Sequence, residues 1–417
     1  MIFKKSKKQI SSVLGLAEKE RKRQENSLNL IASENIPFKN VLKASGSILM
    51  SKYSEGYPFK RYYSGNKYID QIESLAIEKG KKLFNADHIN VQPHSGSSAN
   101  MASYFALTDW LGKGKKILAM ALDQGGHLSH GSRVSFSGKL FQTQFYNLDE
   151  DYSIDYNKAE KRALDFKPDI LISGASAYPR EINFKKFQKI ANKVGAYHVA
   201  DIAHIAGLVA TGLHQSPVSF ADVVTGTTQK TLKGPRGGFI ICKEEHKEKI
   251  DKAVFPGIQG GPLENIIAGK AICFQNALKP CFKKYQKQVL VNAKTLAKEL
   301  IKNGINVLTD GTDNHLIIIN VLNLDLTGKA AENILEKAHI TVNKNMIPYD
   351  KKSPNNPSGI RLGTPFLTGR GMKEKEMKEI AKIIVKLLKH KGEKKIEKQA
   401  KALVLELCKK FPINNSD

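Results

Sequence analysis

Short apolar runs and longer helical stretches alternate along the middle of this chain. Residues 117–122, 170–173, 197–201, 223–227 and 238–242 are runs of strand length, several without polar alternation. That is the pattern of strands buried on both faces. Helical stretches separate them, such as residues 183–194 behind Pro179. From about residue 70 to 245 this βαβ rhythm predicts an α/β fold with a mostly parallel sheet covered by helices.

The flanks read differently. Residues 6–26 form a charged, weakly amphipathic helical stretch of the kind that serves as an arm packing on something else. A Pro/Gly-rich segment, FPGIQGGP at 255–262, precedes a long helical stretch from about 263 to 303. An apolar strand at 316–321 and a Pro/Asn-rich loop at 348–358 follow. The end is helical, with Met377, Ile380, Ile384, Leu387 and Leu388 on one face. The expected division is an N-terminal helical arm (1–50), a large α/β domain (51–278) and a smaller C-terminal α+β domain (279–417). A chain of 417 residues exceeds what one hydrophobic core usually supports, which agrees with more than one domain.

Composition narrows the class. The hydrophobic fraction of 41% and charged fraction of 25% are those of a folded globular chain rather than a disordered one. The net charge of +26 opens a nucleic-acid-binding reading. The lysines are dispersed and interleaved with glutamates, as in Lys373-Glu374-Lys375-Glu376, and no aromatic-basic RNA-binding stretch occurs. A solvated basic surface is therefore expected, with no nucleic-acid partner. Cys242, Cys273, Cys281 and Cys408 form no C-x-x-C pair, so neither a zinc site nor a redox motif is expected, and a reducing cytoplasmic setting fits. The basic start at 1–8 lacks the apolar core of a signal peptide, and no run approaches the ~18 apolar residues that span a bilayer.

Four segments carry candidate chemistry. In TTQKTLKGPRGG (227–238), Lys230 follows a strand and sits among hydroxyls, glycines and other cations. Desolvation and neighbouring cations both lower a lysine pKa and so free a nucleophilic amine. In AYHVADIAH (196–204), Asp201 stands at the carboxyl end of a buried strand, where parallel sheets bind ligands. A carboxylate there, ahead of a lysine on a later strand, suits a pyridoxal site, since the acid pairs with the pyridine nitrogen. A helix N-cap is the plainer alternative for Asp201, and the two roles are compatible. PHSGSSAN (93–100) opens a helix with small residues and suits an anion. DQGGHLSH (123–130) places His127 after a flexible glycine pair, where an imidazole could stack on a planar cofactor.

Together these segments resemble serine hydroxymethyltransferase, a fold-type I pyridoxal-phosphate (PLP) family, over about residues 9–390. The motifs stand as LIASENI, YSEGYPFKRYYSG, VQPHSGSSAN, GGHLSHGS, DIAHIAGL, TTQKTLKGPRGG, FPGIQGGPL and SGIRLGTP, in the family's order. The resemblance implies that Lys230 forms the cofactor aldimine, Asp201 holds the pyridine nitrogen and His204 lies near the phenolic oxygen. His127 would stack on the ring. Ser95, Gly96 and Ser97 would cradle the phosphate, with Ser176 nearby. Tyr53 and Gly261 would reach a neighbouring subunit's site, so a homodimer with shared sites is implied.

The same resemblance makes Arg361 the clamp for the substrate carboxylate and Ser33 a substrate contact. Glu55 would be the acid/base group, with Tyr63 beside it. Leu122, Gly126, Leu128 and Asn345 would contact the folate co-substrate, tetrahydrofolate. The implied reaction interconverts L-serine plus tetrahydrofolate with glycine plus 5,10-methylenetetrahydrofolate, in glycine biosynthesis and one-carbon metabolism. The chain departs from the family pattern at Gln229 and Gln124, where histidine is usual, at Gly226 in the threonine run, at Ser98 for glutamine and at Asn265 for histidine. Another fold-type I enzyme, such as a threonine aldolase or an aminotransferase, shares the Asp and Lys logic. It would not be expected to carry YSEGYPFKRYYSG with Glu55.

Overall fold

The apolar runs assemble into one seven-stranded sheet. In the computed structural model, which describes residues 2–112 and 114–413, the strands are β1 (His88–Asn90), β2 (Lys116–Met120), β3 (Gln142–Tyr146), β4 (Ile170–Ser173), β5 (Tyr197–Asp201), β6 (Val223–Thr227) and β7 (Gly238–Cys242). Met1 of the expected arm and residues 414–417 of the expected C-terminal domain lie outside the described residues. The spatial order is β1-β7-β6-β5-β4-β2-β3. All neighbouring pairs are parallel except those of β7, which runs antiparallel to both β6 and β1.

Strand by strand, successive residues enter opposite cores. Ile117, Ile170, Ile172, Val199, Val223 and Ile240 pack on one face. Leu118, Met120, Leu171, Ala200, Val224 and Ile241 pack on the other. Two-sided burial explains why these runs read as continuously apolar. Burying each large aliphatic side chain contributes about 1.5–3 kcal/mol.

A second core gathers the C-terminal elements. Strands β8 (Asn306–Val307), β9 (Leu316–Asn320), β10 (Asn343–Asn345) and β11 (Gly359–Gly363) form an antiparallel sheet in the order β8-β9-β11-β10. Met377, Ile380, Ile384, Leu387 and Leu388 are all fully buried against it. Leu28 and Leu30 join this core as well, because residues 28–29 pair in parallel with Ile340–Thr341. The amide of Gly363 donates to the Leu30 carbonyl at 2.7 Å. This tie brings the segment carrying Ser33 beside β11, where Arg361 sits.

Some boundaries differ from expectation. The helical stretch at 263–303 is two helices, Glu264–Ala277 and Pro280–Lys302, because Pro280 begins the second and has no N–H to continue the first. The terminal helix is also two, Glu374–Lys389 and Lys394–Lys410, parted at Gly392 with φ +74°. Strand β2 stops at Met120, which leaves Leu122 in a short 3-10 turn, Leu122–Gln124. The arm helix, Ile2–Glu25, leaves Val13, Leu14 and Leu16 exposed. No helix among the described residues is long and apolar enough to cross a membrane.

Candidate active site

A cavity of about 360 Å³ opens beyond the carboxyl ends of the parallel strands. Asp201 ends β5, Thr227 ends β6, and Ala175 and Ser176 follow β4. All four line the cavity, together with Ser33, Ser95, Gly96, Ser97, His127, His130, Ala203, His204, Gln229, Lys230, Arg236 and Arg361. Residues drawn from the whole length of the chain thus converge where open α/β sheets bind ligands.

Two lysines of TTQKTLKGPRGG have depressed pKa values, and geometry separates them. Lys230 lines the cavity. Burial lowers its ammonium to about 8, helped by Arg361 and Arg236 and opposed by Asp201. Lys233 is also lowered to about 8 by burial. Its Nζ lies 5.0 Å from the ring centre of Phe38 and 4.8 Å from that of Tyr285, a cation–π arrangement in the wall behind the site. Only Lys230 can present a partly neutral amine to a ligand in the cavity.

Asp201 is held as a carboxylate. Its Oδ2 accepts from His130 Nε2 at 2.9 Å and from Asn100 Nδ2 at 3.0 Å. Its Oδ1 accepts from the Ala203 amide at 2.9 Å, so the turn-capping role and the cavity role coexist. Burial alone would raise this acid; the His130 hydrogen bond and the nearby imidazoles outweigh it and hold the carboxyl well below the usual range. The amide of His127 donates to His130 Nδ1 at 3.4 Å. A backbone N–H can only donate, so Nδ1 is the acceptor and Nε2 carries the proton given to Asp201. Asn100 is oriented the same way. Its Oδ1 accepts from Thr225 Oγ1 at 2.6 Å, which turns its amide nitrogen toward Asp201 and the Ser129 hydroxyl. Ser129 in turn reaches His127 Nδ1, through its hydroxyl at 2.7 Å and its amide at 3.2 Å. Burial first, then His130, lowers His127 to about 4, leaving a neutral ring at the cavity wall.

The turn before helix Gly96–Leu107 is pressed tightly into place. Ser95 caps this helix by accepting from the Ser98 amide at 3.1 Å. A Cβ on Gly96 would meet Thr227 at 2.7 Å, and one on Gly238 would meet the Ser95 carbonyl at 2.3 Å. Lys270 fixes the same region from behind, with Nζ donating to the carbonyls of Val91, Pro93 and Gly238 at 2.6, 3.0 and 2.7 Å. Gly96 and Ser97 line the cavity at a helix N-terminus, a ready anion cradle.

Arg361 projects from β11 into the opposite wall. Its Nη1 donates to the Ser176 carbonyl at 2.6 Å and its Nε to Asn343 Oδ1 at 3.1 Å. Burial lowers it only to about 10, so it remains a cation at neutral pH. Gln229 Oε1 accepts from the Gly237 amide at 3.4 Å and lines the cavity beside Lys230. His204 is fully enclosed, stacks on His315 with ring centres 5.7 Å apart, and has a buried Nδ1 without a partner. Burial keeps it neutral.

Eight candidates do not line this cavity. Tyr53, Glu55, Tyr63 and Gly261 form a separate cluster. The rings of Tyr53 and Tyr63 are 5.5 Å apart. A Cβ on Gly261 would touch Tyr53 at 3.6 Å, and one on Gly260 would lie 3.4 Å from Glu55 Oε1. Tyr53 and Tyr63 are 60% and 48% exposed. The folate candidates Leu122 and Leu128 are exposed at 41% and 46% on the two short turns flanking Gly126, whose Cβ would lie 2.2 Å from the Met120 carbonyl. Asn345 is half-buried on β10, its amide bonded to the Met346 carbonyl. Sequence reading missed His130, Asn100 and Arg236. The second histidine of GGHLSHGS was the available signal for His130.

A half-buried lysine at the cavity wall, a held carboxylate at a strand end, an anion cradle at a helix start and a half-buried guanidinium fit pyridoxal phosphate with an amino-acid substrate. The partnerless His204 nitrogen and the open space of about 360 Å³ between these residues fit such a group. Fold and site together define a fold-type I PLP-dependent enzyme. The family model for serine hydroxymethyltransferase matches residues 5–384. The chain belongs to the serine hydroxymethyltransferase family, whose members are PLP-dependent glycine hydroxymethyltransferases with tetrahydrofolate as co-substrate.

Proposed function

We propose that this chain interconverts L-serine and tetrahydrofolate with glycine and 5,10-methylenetetrahydrofolate, serving glycine biosynthesis and one-carbon metabolism in the cytoplasm. The observation that carries this reading is the Lys230 amine, lowered to about 8, in one cavity with Asp201, the Ser95–Ser97 turn and Arg361. When bound, PLP supplies the electron sink for cleavage next to the amino-acid α-carbon.

The chain's own residues do the rest. Lys230 would hold the cofactor through its partly neutral amine. Asp201, held as a carboxylate, would accept a hydrogen bond from the protonated pyridine nitrogen and so keep that nitrogen charged. His127 would offer a neutral face to the ring, and His204 would lie near the phenolic oxygen. The amides of Gly96 and Ser97, with the hydroxyls of Ser95, Ser97 and Ser176, hold the phosphate. Arg361 binds the substrate carboxylate as a fork, and Ser33 contacts the amino acid beside it. Leu122, Gly126, Leu128 and Asn345 receive the folate ring.

Glu55 is the acid/base group at the serine hydroxyl, with Tyr63 beside it. Because Glu55, Tyr63, Tyr53 and Gly261 cluster apart from Lys230 in their own chain, we propose that they complete the site of a second copy in a homodimer. Mixing two inactive variants, K230A and E55Q, tests this. Activity regained on subunit exchange supports shared sites, and none regained opposes them.

The reaction itself is tested by serine cleavage with and without tetrahydrofolate. Folate-dependent cleavage supports the proposal. Cleavage of allo-threonine with no folate response points to an aldolase instead.

A further inference from the structure

Glu264 opens the helix Glu264–Ala277, three residues after Gly261, and its residue is 1% exposed. One carboxyl oxygen accepts from the hydroxyl of Ser54, the residue before Glu55. The other oxygen, Oε2, is buried without a partner. A carboxylate with one hydroxyl for company is poorly solvated.

Its surroundings do not balance its charge. Arg61 bonds Asp70 at 2.9 Å and Glu73 at 2.6 Å, both on helix Lys67–Phe84. The same guanidinium donates Nη1 to the carbonyls of Ser54 and Gly56, on either side of Glu55. Glu73 spends its other oxygen on Gln92 at 2.8 Å. Lys270, on Glu264's own helix, gives its ammonium to three backbone carbonyls. Asp251, on helix Lys247–Lys252, adds its negative charge near Glu73 and is bonded to His88 at 2.9 Å. Lys39 and Lys43 of helix Lys39–Ser45, which packs on the same helix, are exposed.

Asp70, Glu73 and Glu264 thus share Arg61 and Lys270, whose ammonium burial lowers to about 7, so at least one negative charge is in excess inside the protein. Of the three acids, only Glu264 lacks a cationic or amide partner, so the compensating proton belongs there. Burial is the main cause, reinforced by Glu73 and opposed by Ser54, and it lifts this carboxyl to about 7.

We propose that Glu264 is a positioning residue for Glu55: protonated, it leaves Arg61 on the carbonyls of Ser54 and Gly56 that flank Glu55, and on ionising it draws Arg61 away from them and loosens that segment. This rests on the reading of Glu55 as the acid/base group. Ionisation puts an unpaired charge beside Arg61, the cation that also ties down Ser54 and Gly56. The active arrangement of Glu55 therefore weakens as pH rises through neutrality.

The test uses the full-length holoenzyme labelled with ¹³C at glutamate carboxyls, the Glu264 signal being assigned by its loss in E264Q. A midpoint near 7 is expected; a midpoint near the ordinary carboxylate value of 4.5 overturns the proposal. In parallel, the pH profile of folate-dependent serine cleavage is compared. Wild type loses activity with that midpoint, and E264Q, which keeps a bond to Ser54 but cannot ionise, lacks this limb. An identical limb in E264Q overturns the proposal. S54A keeps the acid and removes its only partner, so the midpoint moves further up; an unmoved midpoint again overturns it. Failure of the Glu55 reading shows separately, as an active E55Q, and leaves the Glu264 midpoint measurable.

Discussion

His130 Nε2 donates to Asp201 Oδ2 across 2.9 Å, and the direction of that bond is set by the His127 amide on the other ring nitrogen. The Asp201 charge thus depends on a residue that has no need to touch the cofactor. A hydrogen bond to a charged group is worth about 1.5–3 kcal/mol. H130F is expected to lower kcat by roughly 10- to 100-fold if that bond is expressed in the transition state. H130Q, which can still donate, recovers most of the loss. Steady-state kinetics of the two variants check this, and equal loss in both would assign His130 a packing role.

The neighbouring turn makes a separate prediction about cofactor affinity. Because a Cβ at position 238 would lie 2.3 Å from the Ser95 carbonyl, G238A must push the phosphate turn away from β7. Weaker PLP binding is expected, by about tenfold or more, as when a contact worth ~1.4 kcal/mol is lost. Titration of the apoenzyme with PLP measures it directly.

Lys230 also sets a stability trend. Its folded value of about 8 lies below the ordinary 10.5. Between those values the unfolded chain binds more protons, so its contribution to stability rises with pH across that window. Below about 8 the full penalty of burying the ammonium is present. Apo K230M should therefore be more stable than the apo wild type at pH 7, by on the order of 3 kcal/mol. The advantage should shrink as pH rises toward 10.5. Thermal unfolding of both apoproteins across pH 7–10.5 reads this out, and a constant difference would contradict it.

Arg361 is anchored at two nitrogens, which leaves Nη2 and part of Nη1 for the substrate carboxylate we propose it binds. R361K loses the planar fork and both anchors. The KM for serine should rise about tenfold or more, with a smaller change in kcat, because the contact is made in ground state and transition state alike.

Much of this was legible in the sequence, for physical reasons. Strands β2, β4 and β7 stood out because burial on both faces makes them almost wholly apolar. Strand β3, with the sequence QTQFY, did not, since an edge strand keeps polar positions. Asp201 and Lys230 could be nominated as residues at strand ends. Nothing local separated Lys230 from Lys233, whose aromatic walls, Phe38 and Tyr285, lie far away in sequence. The roles of His130 and Glu264 were equally hidden: one depends on a tautomer fixed by its neighbours, the other on a charge count across four elements.

The central claim is that Lys230, and not Lys233 or another cation, carries the cofactor. Borohydride reduction of the PLP-loaded enzyme, followed by peptide mass mapping, tests this most directly. The account predicts one reduced pyridoxyl adduct, on Lys230, and none in K230A. An adduct on another lysine of the wild-type enzyme, or none at all, would contradict it.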